Sequence, residues 1–295
     1  MAEKSILNNS NLEMYQVKKT NKFVTVLIYI GLIIWLIIDL FPIYYLITFS
    51  LKSNDEIFGS NVLGLPRDWL FSNYSEAMSR GNMPRNFLNS IIVSGATIII
   101  VLVAAIMATY ALTRINWRGS KLMNSIFMLG ITIPIHVALF PVYSTFTKIG
   151  MLKNMPYTSL IIPYAAFGLS MAIMISTGFM NDIPKELDEA ANIDGCGTWG
   201  IFIRVIFPLM RPALATIGIY TFLQCWNEFM FASIFINDSA HKTLPVGIAE
   251  LQGRTTTDWG VVGAGLAIAT LPMLIIYVFL SRRIQESFMV GAVKG

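Results

Sequence analysis

The sequence predicts an all-α integral membrane protein with six transmembrane helices, and three observations predict it. Of the 295 residues, 55% are hydrophobic and only 13% charged, about half the charged share of a soluble domain. Six long, mostly apolar runs recur along the chain, each of the roughly 20 residues that a helix rising 1.5 Å per residue needs to cross a hydrocarbon core of about 30 Å. Lys and Arg cluster in the segments that an even number of spans places on one side. A mean hydropathy of +0.63 agrees. No period-two alternation is sustained over about ten residues, which argues against an outer-membrane barrel.

A polar segment, residues 1–22, comes first, and the span after it is too long for a signal-peptide core, so no cleavage is expected. The spans are expected at Phe23–Phe49, Phe87–Leu112, Leu122–Phe146, Thr158–Met180, Ala213–Ile236 and Val261–Leu280. The first is long enough to tilt. The fourth contains Pro163 and Gly168, which a helix packed among others tolerates. Lys18, Lys19 and Lys22 precede the first span, Arg114, Arg118 and Lys121 separate the second from the third, and Arg282 and Arg283 follow the last. With six spans, 13 of the 21 basic residues share one side, which is then the cytoplasm and holds both termini. The segments 50–86, 147–157 and 237–260 are expected outside, and 181–212 and the tail 281–295 inside.

Several functions find no support. A net charge of +4 with the cations dispersed between apolar runs offers no nucleic-acid surface. Cys196, Cys225, His136 and His241 are isolated, so neither a disulfide framework nor a metal site is expected.

The inner segment reads NDIPKELDEAANIDGCGTWGIFIRVIFPLMRP. Pro184 suits the first turn of a helix, where its missing N–H costs nothing. Glu186, Asp188 and Glu189 place negative charge at the positive end of that helix's dipole. Ala190 and Ala191 leave little bulk on its surface. Asp194-Gly195 ends it, with Gly195 taking the left-handed conformation, and Thr198 caps a second helix running to Pro208. A short helix, a glycine turn and a second helix along the membrane surface result. They read either as an amphipathic connector or as a docking element that another protein approaches closely at the Ala190–Ala191 step.

Glu189-Ala190-Ala191, then Gly195, then Val205-Ile206-Phe207-Pro208 match the EAA---G---------I-LP signature of ABC importer permeases at full spacing, with Val205 and Phe207 in place of the usual Ile and Leu. Asn89-Ser90 at the head of the second span, Trp226-Asn227-Glu228 in the fifth and the ending Gly291-Ala292-Val293-Lys294-Gly295 fit one subgroup. From about Phe23 to Gly295 the chain resembles the shorter, six-span permease of binding-protein-dependent sugar importers of the maltose-transporter type. The resemblance implies a type I ABC importer permease fold with a cytoplasmic coupling helix, in a bacterial cytoplasmic membrane. It implies as partners a second homologous permease, two copies of a cytoplasmic ABC ATPase and an extracytoplasmic solute-binding protein, besides the lipid bilayer. It implies that Glu186, Glu189, Ala190, Ala191, Asp194, Gly195 and Pro208 dock into the ATPase, and that the tail residues Gly291, Val293, Lys294 and Gly295 reach the ATPase dimer. No catalytic residue and no bound cofactor are then expected on this chain. ATP and Mg belong to the partner, and the sequence has no G-x-x-x-x-G-K-[ST] phosphate loop of its own.

In the fifth span, Tyr220, Gln224, Asn227 and Glu228 recur at steps of three and four and so are expected on one helix face. Asn227 and Glu228 suit sugar hydroxyls and Trp226 or Tyr220 suits a sugar ring; alternatively this face packs against a neighbouring helix. An ionisable residue within a span is by default a functional candidate. Asp39 is expected to mark the outer boundary of the first span or to cap a break before Pro42. His136, between Pro134 and Pro141, is expected as a satisfied polar group in a broken helix. The loop 237–260 reads as a passive hairpin or as a contact for the binding protein. An ion-coupled secondary transporter would require more embedded carboxylates than Asp39 and Glu228 and an inverted repeat. A membrane metalloprotease would require H-E-x-x-H.

Overall fold

The computed structural model describes residues 22–59, 61–253 and 255–292, and no strand occurs among them. The chain divides into two units, Met1–Thr48 and Phe49–Gly295. The first contains nearly all of α1 (Lys22–Ser50). Its Ile33, Trp35, Ile37 and Ile38 are each more than half exposed, and a helix apolar on every face belongs in lipid. Pro42 lies inside it, so the break considered beside Asp39 is not formed.

The second unit holds α2 (Asn54–Phe58), α3 (Ser72–Arg80), α4 (Met83–Thr113) and α7 (Pro156–Asp182), with α5 (Ser120–Thr132) and α6 (Ile135–Lys148) between the last two. After them come α8 (Glu186–Ile193), α9 (Thr198–Leu209), α10 (Arg211–Trp226), α11 (Met230–Phe235), α12 (Leu244–Ala249) and α13 (Trp259–Ala292). Helices α1, α4, α7 and α13 are each long and apolar enough to cross a membrane alone. The pairs α5–α6, bent by 92°, and α9–α10, bent by 70°, bring the spans to as many as six.

Helix α4 is the hub, packing along α7 and against α10. Its buried Ser90, Val93, Ser94, Thr97, Val101 and Ala105 recur at three and four and form one face. Helix α7 answers with Ser159, Ala165, Gly168, Ala172 and Ser176. Small residues let backbones come close where lipid supplies no hydrophobic drive between helices. As expected, α7 runs unbroken through Pro163 and Gly168.

Two of the expected spans are broken, the third at the break expected around His136 and the fifth where none was expected. The third, 122–146, breaks after Thr132 because Pro134 donates no N–H and pushes Ile133 into extended backbone (φ −82°, ψ 116°). The fifth, 213–236, ends as a helix at Trp226 and resumes as α11 at Met230. No Pro or Gly marks that second break.

The loops joining α1 to α4 and α11 to α13 form one hydrogen-bonded layer. Asn54 Nδ2 donates to Thr257 O at 2.8 Å while its Oδ1 accepts from Trp259 N at 2.8 Å. Asn73 Nδ2 donates to Ser50 O and Lys52 O, and Arg80 pairs with Asp258 at 2.9 Å. Helix α12 turns back into this layer and buries Leu244, Val246 and Ile248. It comes so close to α4 that a Cβ on Gly247 would lie 2.0 Å from Asn86 Nδ2.

Candidate functional site

The inner segment folds much as its residues dictate. Helix α8 starts with Glu186, Asp188 and Glu189 in its first turn. At its end, Gly195 N donates to Asn192 O at 3.0 Å and Cys196 N to Ala191 O at 2.9 Å, with Gly195 at φ +84°. This is the paired 5→2 and 6→1 closure of a Schellman motif, which requires a left-handed residue. Glu186, Glu189, Ala190 and Asp194 are exposed and Ala191 half-buried. Ile193 is 85% exposed, so the helix presents three carboxylates, a low-bulk step and an unburied apolar side chain together.

Two details of the following helix differ from expectation. Thr198 is the first helical residue of α9 rather than its cap; Gly197 holds that position and no side chain caps the end. The helix also passes Pro208 to Leu209, containing a π turn at Phe202–Ile206, and the bend falls at Met210. Pro208 is tolerated in the first turn after the π turn, and Pro212, in the first turn of α10, withholds an N–H from the preceding turn. Ile201, Phe202, Ile206 and Met210 are buried against Ile106 and Tyr110 of α4 and Met180 of α7.

Arg114 fastens this segment to the spanning helices. Its side chain is 4% exposed. Nη2 donates to Met180 O at 2.7 Å and Ile183 O at 2.6 Å, the carbonyls that end α7. Nη1 pairs with Asp188 Oδ2 of α8 at 3.1 Å. One guanidinium therefore joins the end of α4, the end of α7 and the first turn of α8. In the sequence Arg114 is one more cation of a basic flank, and nothing local distinguishes it from Arg118.

At the break in the fifth span, a cavity of about 390 Å³ opens beside His136, Tyr164, Thr221, Gln224, Asn227 and Glu228. The expected shared helix face is not formed, because Asn227 and Glu228 lie past the end of α10. Glu228 stabilises the break. Its Oε1 accepts from Phe231 N at 2.9 Å, and its Oε2 from Ala232 N at 3.3 Å and from the Tyr164 hydroxyl. The carboxylate thus caps α11 from one turn back. His136, in the break of the third span, brings Nε2 to 4.0 Å from Glu228 Oε1. Gln224 Nε2 donates to Tyr220 Oη at 2.6 Å, and Gln224 and Asn227 remain exposed. Trp226 is placed differently from the ring-stacking role considered for it. It is 2% exposed, donates Nε1 to Ala269 O at 3.0 Å and packs on Phe87 and Phe222. It binds α10 to α13.

Asn89 and Ser90 hold the loop 237–243. Asn89 Nδ2 donates to Ala240 O at 3.0 Å and Lys242 O at 2.8 Å, and its Oδ1 accepts from the Tyr157 hydroxyl at 2.8 Å. Ser90 Oγ accepts from Leu244 N at 2.8 Å. The loop is a latched element with its own buried helix, not a free hairpin. Within it, burial of the Asp238 carboxyl raises its pKa, but the hydrogen bonds from His241 and Ala240 outweigh this and hold it below its usual value. Of the tail residues, Gly291 lies near the end of α13, and Val293, Lys294 and Gly295 lie outside the described residues, as do residues 1–21.

Bent spans around a small-residue hub, with an exposed acidic helix held below them, define a multi-pass membrane transport subunit. Residues 100–288 match the family of binding-protein-dependent transport system inner membrane components, and the chain belongs to it. A protein of Caldicellulosiruptor sp. strain Rt8B.4 named as an ABC transporter permease is 36% identical over 279 residues, covering 95% of this chain and 99% of that one. The diacetylchitobiose uptake system permease of Streptomyces coelicolor is 32% identical, covering 88% and 86%. The fold matches, with a TM-score of 0.77 at 21% identity, the crystal structure of a bacterial ABC transporter involved in import of the acidic polysaccharide alginate, over 90% of this chain and 98% of that one. The type I importer permease fold expected from the sequence is the fold observed.

Proposed function

We propose that this permease forms half of the translocation pathway for a neutral oligosaccharide and couples it, through α8 and α9, to a cytoplasmic ATPase. The observation that carries the reading is the tip of α8. Glu186, Glu189, Ala190 and Ile193 stand exposed on a helix that Gly195 terminates and Arg114 fixes to α4 and α7. An apolar side chain left 85% exposed beside two carboxylates suits a protein surface with an apolar floor and basic rim. A push on that tip passes through Arg114 and the α9–α10 bend into the spanning helices. ATP and Mg act on the ATPase, and a second permease supplies the other half of the pathway. A solute-binding protein delivers the solute on the face of the loops latched by Asn89, and the tail, with Gly291 at its start, extends toward the ATPase dimer. Both termini are then cytoplasmic, on the side of the basic flanks.

A neutral carbohydrate is supported by the cavity at the α10–α11 break. It offers the amides of Gln224 and Asn227 and the hydroxyl of Thr221, groups that exchange hydrogen bonds with sugar hydroxyls, and among the described residues no Lys or Arg lines it. The Streptomyces relative is named for a disaccharide. An acidic polymer would need cations there.

The test is pull-down of the ATPase with detergent-solubilised permease, together with uptake in vesicles. Gly195→Val forces a β-branched residue to φ +84°, costing about 1–2 kcal/mol, and Ala191→Trp puts bulk where a partner surface would sit. Both variants are expected to keep the spanning helices folded and to lose ATPase retention and uptake. Normal retention and uptake in both would refute coupling through α8.

A further inference from the structure

Two broken spans meet at the cavity beside the α10–α11 break. Just past the break of the third span, Ile135 and His136 enter its wall, and at the break of the fifth, Asn227, Glu228 and Phe229 do. The satisfied polar group expected at His136 is not formed. Its side chain is 53% exposed, and among the described residues its ring makes no hydrogen bond. Glu228 Oε1 stands 4.0 Å from its Nε2, beyond the reach of a direct hydrogen bond. The Glu228 carboxylate is not filled either. Oε2 accepts from Ala232 N and the Tyr164 hydroxyl, but Oε1 accepts from Phe231 N alone, and each carboxylate oxygen has room for two donors. A third group in the same wall lacks a partner. Thr221 is 1% exposed, and its Oγ1 makes no hydrogen bond, although a buried hydroxyl ordinarily does.

The gap between His136 and Glu228 has the dimensions of one oxygen atom. A hydroxyl oxygen about 2.8 Å from each neighbour spans it, accepting from Nε2–H, in that tautomer of the ring, and donating to Oε1. A sugar hydroxyl meets both needs at one atom. An ether oxygen cannot donate, and a carboxylate would meet the charge of Glu228. We propose that His136 and Glu228 together hold one free hydroxyl of the transported sugar, with Thr221 offering its hydroxyl to the same solute, so that the third span supplies a specificity-determining residue. The inference rests on the transport reading of this cavity and extends it from one span to two.

The test uses vesicles that carry the permease with its accompanying subunits, ATP on the ATPase side, and the solute-binding protein with radiolabelled maltotriose, N,N′-diacetylchitobiose or raffinose on the other. Loss of one hydrogen bond to a neutral group corresponds to about a three- to tenfold effect, so His136→Ala should lower uptake of the transported sugar by that factor. His136→Gln puts an amide nitrogen in place of Nε2 and should keep uptake within about twofold. The unfolding temperature should be the same in both as in the parent. Thr221→Val should lower uptake and raise the unfolding temperature, because it removes a buried hydroxyl that the fold leaves unsatisfied. A merely structural role, or a water bridging the gap in place of the solute, would leave uptake by the assembled complex unchanged in His136→Ala, and that result would overturn the assignment. So would equal loss in the Ala and Gln variants, and a lowered unfolding temperature in Thr221→Val would remove Thr221 from it. Parent vesicles that take up none of the three sugars would overturn the transport reading instead, and this inference with it.

Discussion

Arg114→Ala removes one side chain and releases three helices. The guanidinium is 4% exposed and its partner Asp188 is 19% exposed, so the variant leaves a largely buried carboxylate and the carbonyls of Met180 and Ile183 without their donor. Removing one partner of a buried ion pair costs about 3–5 kcal/mol. Since about 1.4 kcal/mol is a factor of ten, the docking equilibrium of α8 should shift at least about a hundredfold toward release. Arg114→Lys retains the charge, but an ammonium has no planar fork to hold acceptors from two helices at once, so it should fall between the two. Hydrogen exchange of the detergent-solubilised chain is the assay. Peptides covering residues 186–196 should exchange about two orders of magnitude faster in Arg114→Ala, while peptides from the middle of α4 and α7 stay protected. Vesicle uptake should fall in parallel. If exchange over 186–196 stays within about threefold of wild type, the clamp does not hold α8.

Asn89→Ala deletes three hydrogen bonds to the loop and to Tyr157, worth roughly 1 kcal/mol each; limited proteolysis should then cut within 237–243, and an uncut loop would show that it needs no latch. Glu228→Ala removes the cap of α11 and the acceptor of the Tyr164 hydroxyl, at about 1–2 kcal/mol for the cap alone, so thermal unfolding should come earlier. Gln224→Ala and Asn227→Ala, exposed in the same cavity, should lower uptake with unchanged unfolding, and loss of stability there would make them packing residues. The Glu56 carboxyl is held below its usual range by hydrogen bonds from Arg67 N and then from Asn61 Nδ2. A depressed folded pKa contributes stability above the unfolded value that is lost as pH falls through the folded one. Relative to an exposed reference cysteine, labelling of a cysteine at Leu63 should therefore rise on acidification through the carboxylate range in the parent chain and stay constant in Glu56→Gln.

The sequence by itself determined the features that neighbours along the chain decide. Apolar runs of sufficient length made the spans, and Pro134 marked a site of bending although not its 92°. The turn at 194–196 was legible because its chemistry is local: a left-handed residue closing two bonds to carbonyls three and five positions back. Tertiary structure decided the rest. The break after Trp226 follows no Pro or Gly; Glu228 holds it open by capping α11 and accepting from Tyr164, 64 residues earlier. Trp226 turned inward because the carbonyl of Ala269 and the ring of Phe87 were there to receive it. Arg114 became a clamp, and Arg118 did not, because only Arg114 lies within reach of the end of α7 and of Asp188, 74 residues on. A buried polar group must find its partner wherever the fold brings one, and over such separations no pattern of spacing records which partner that is.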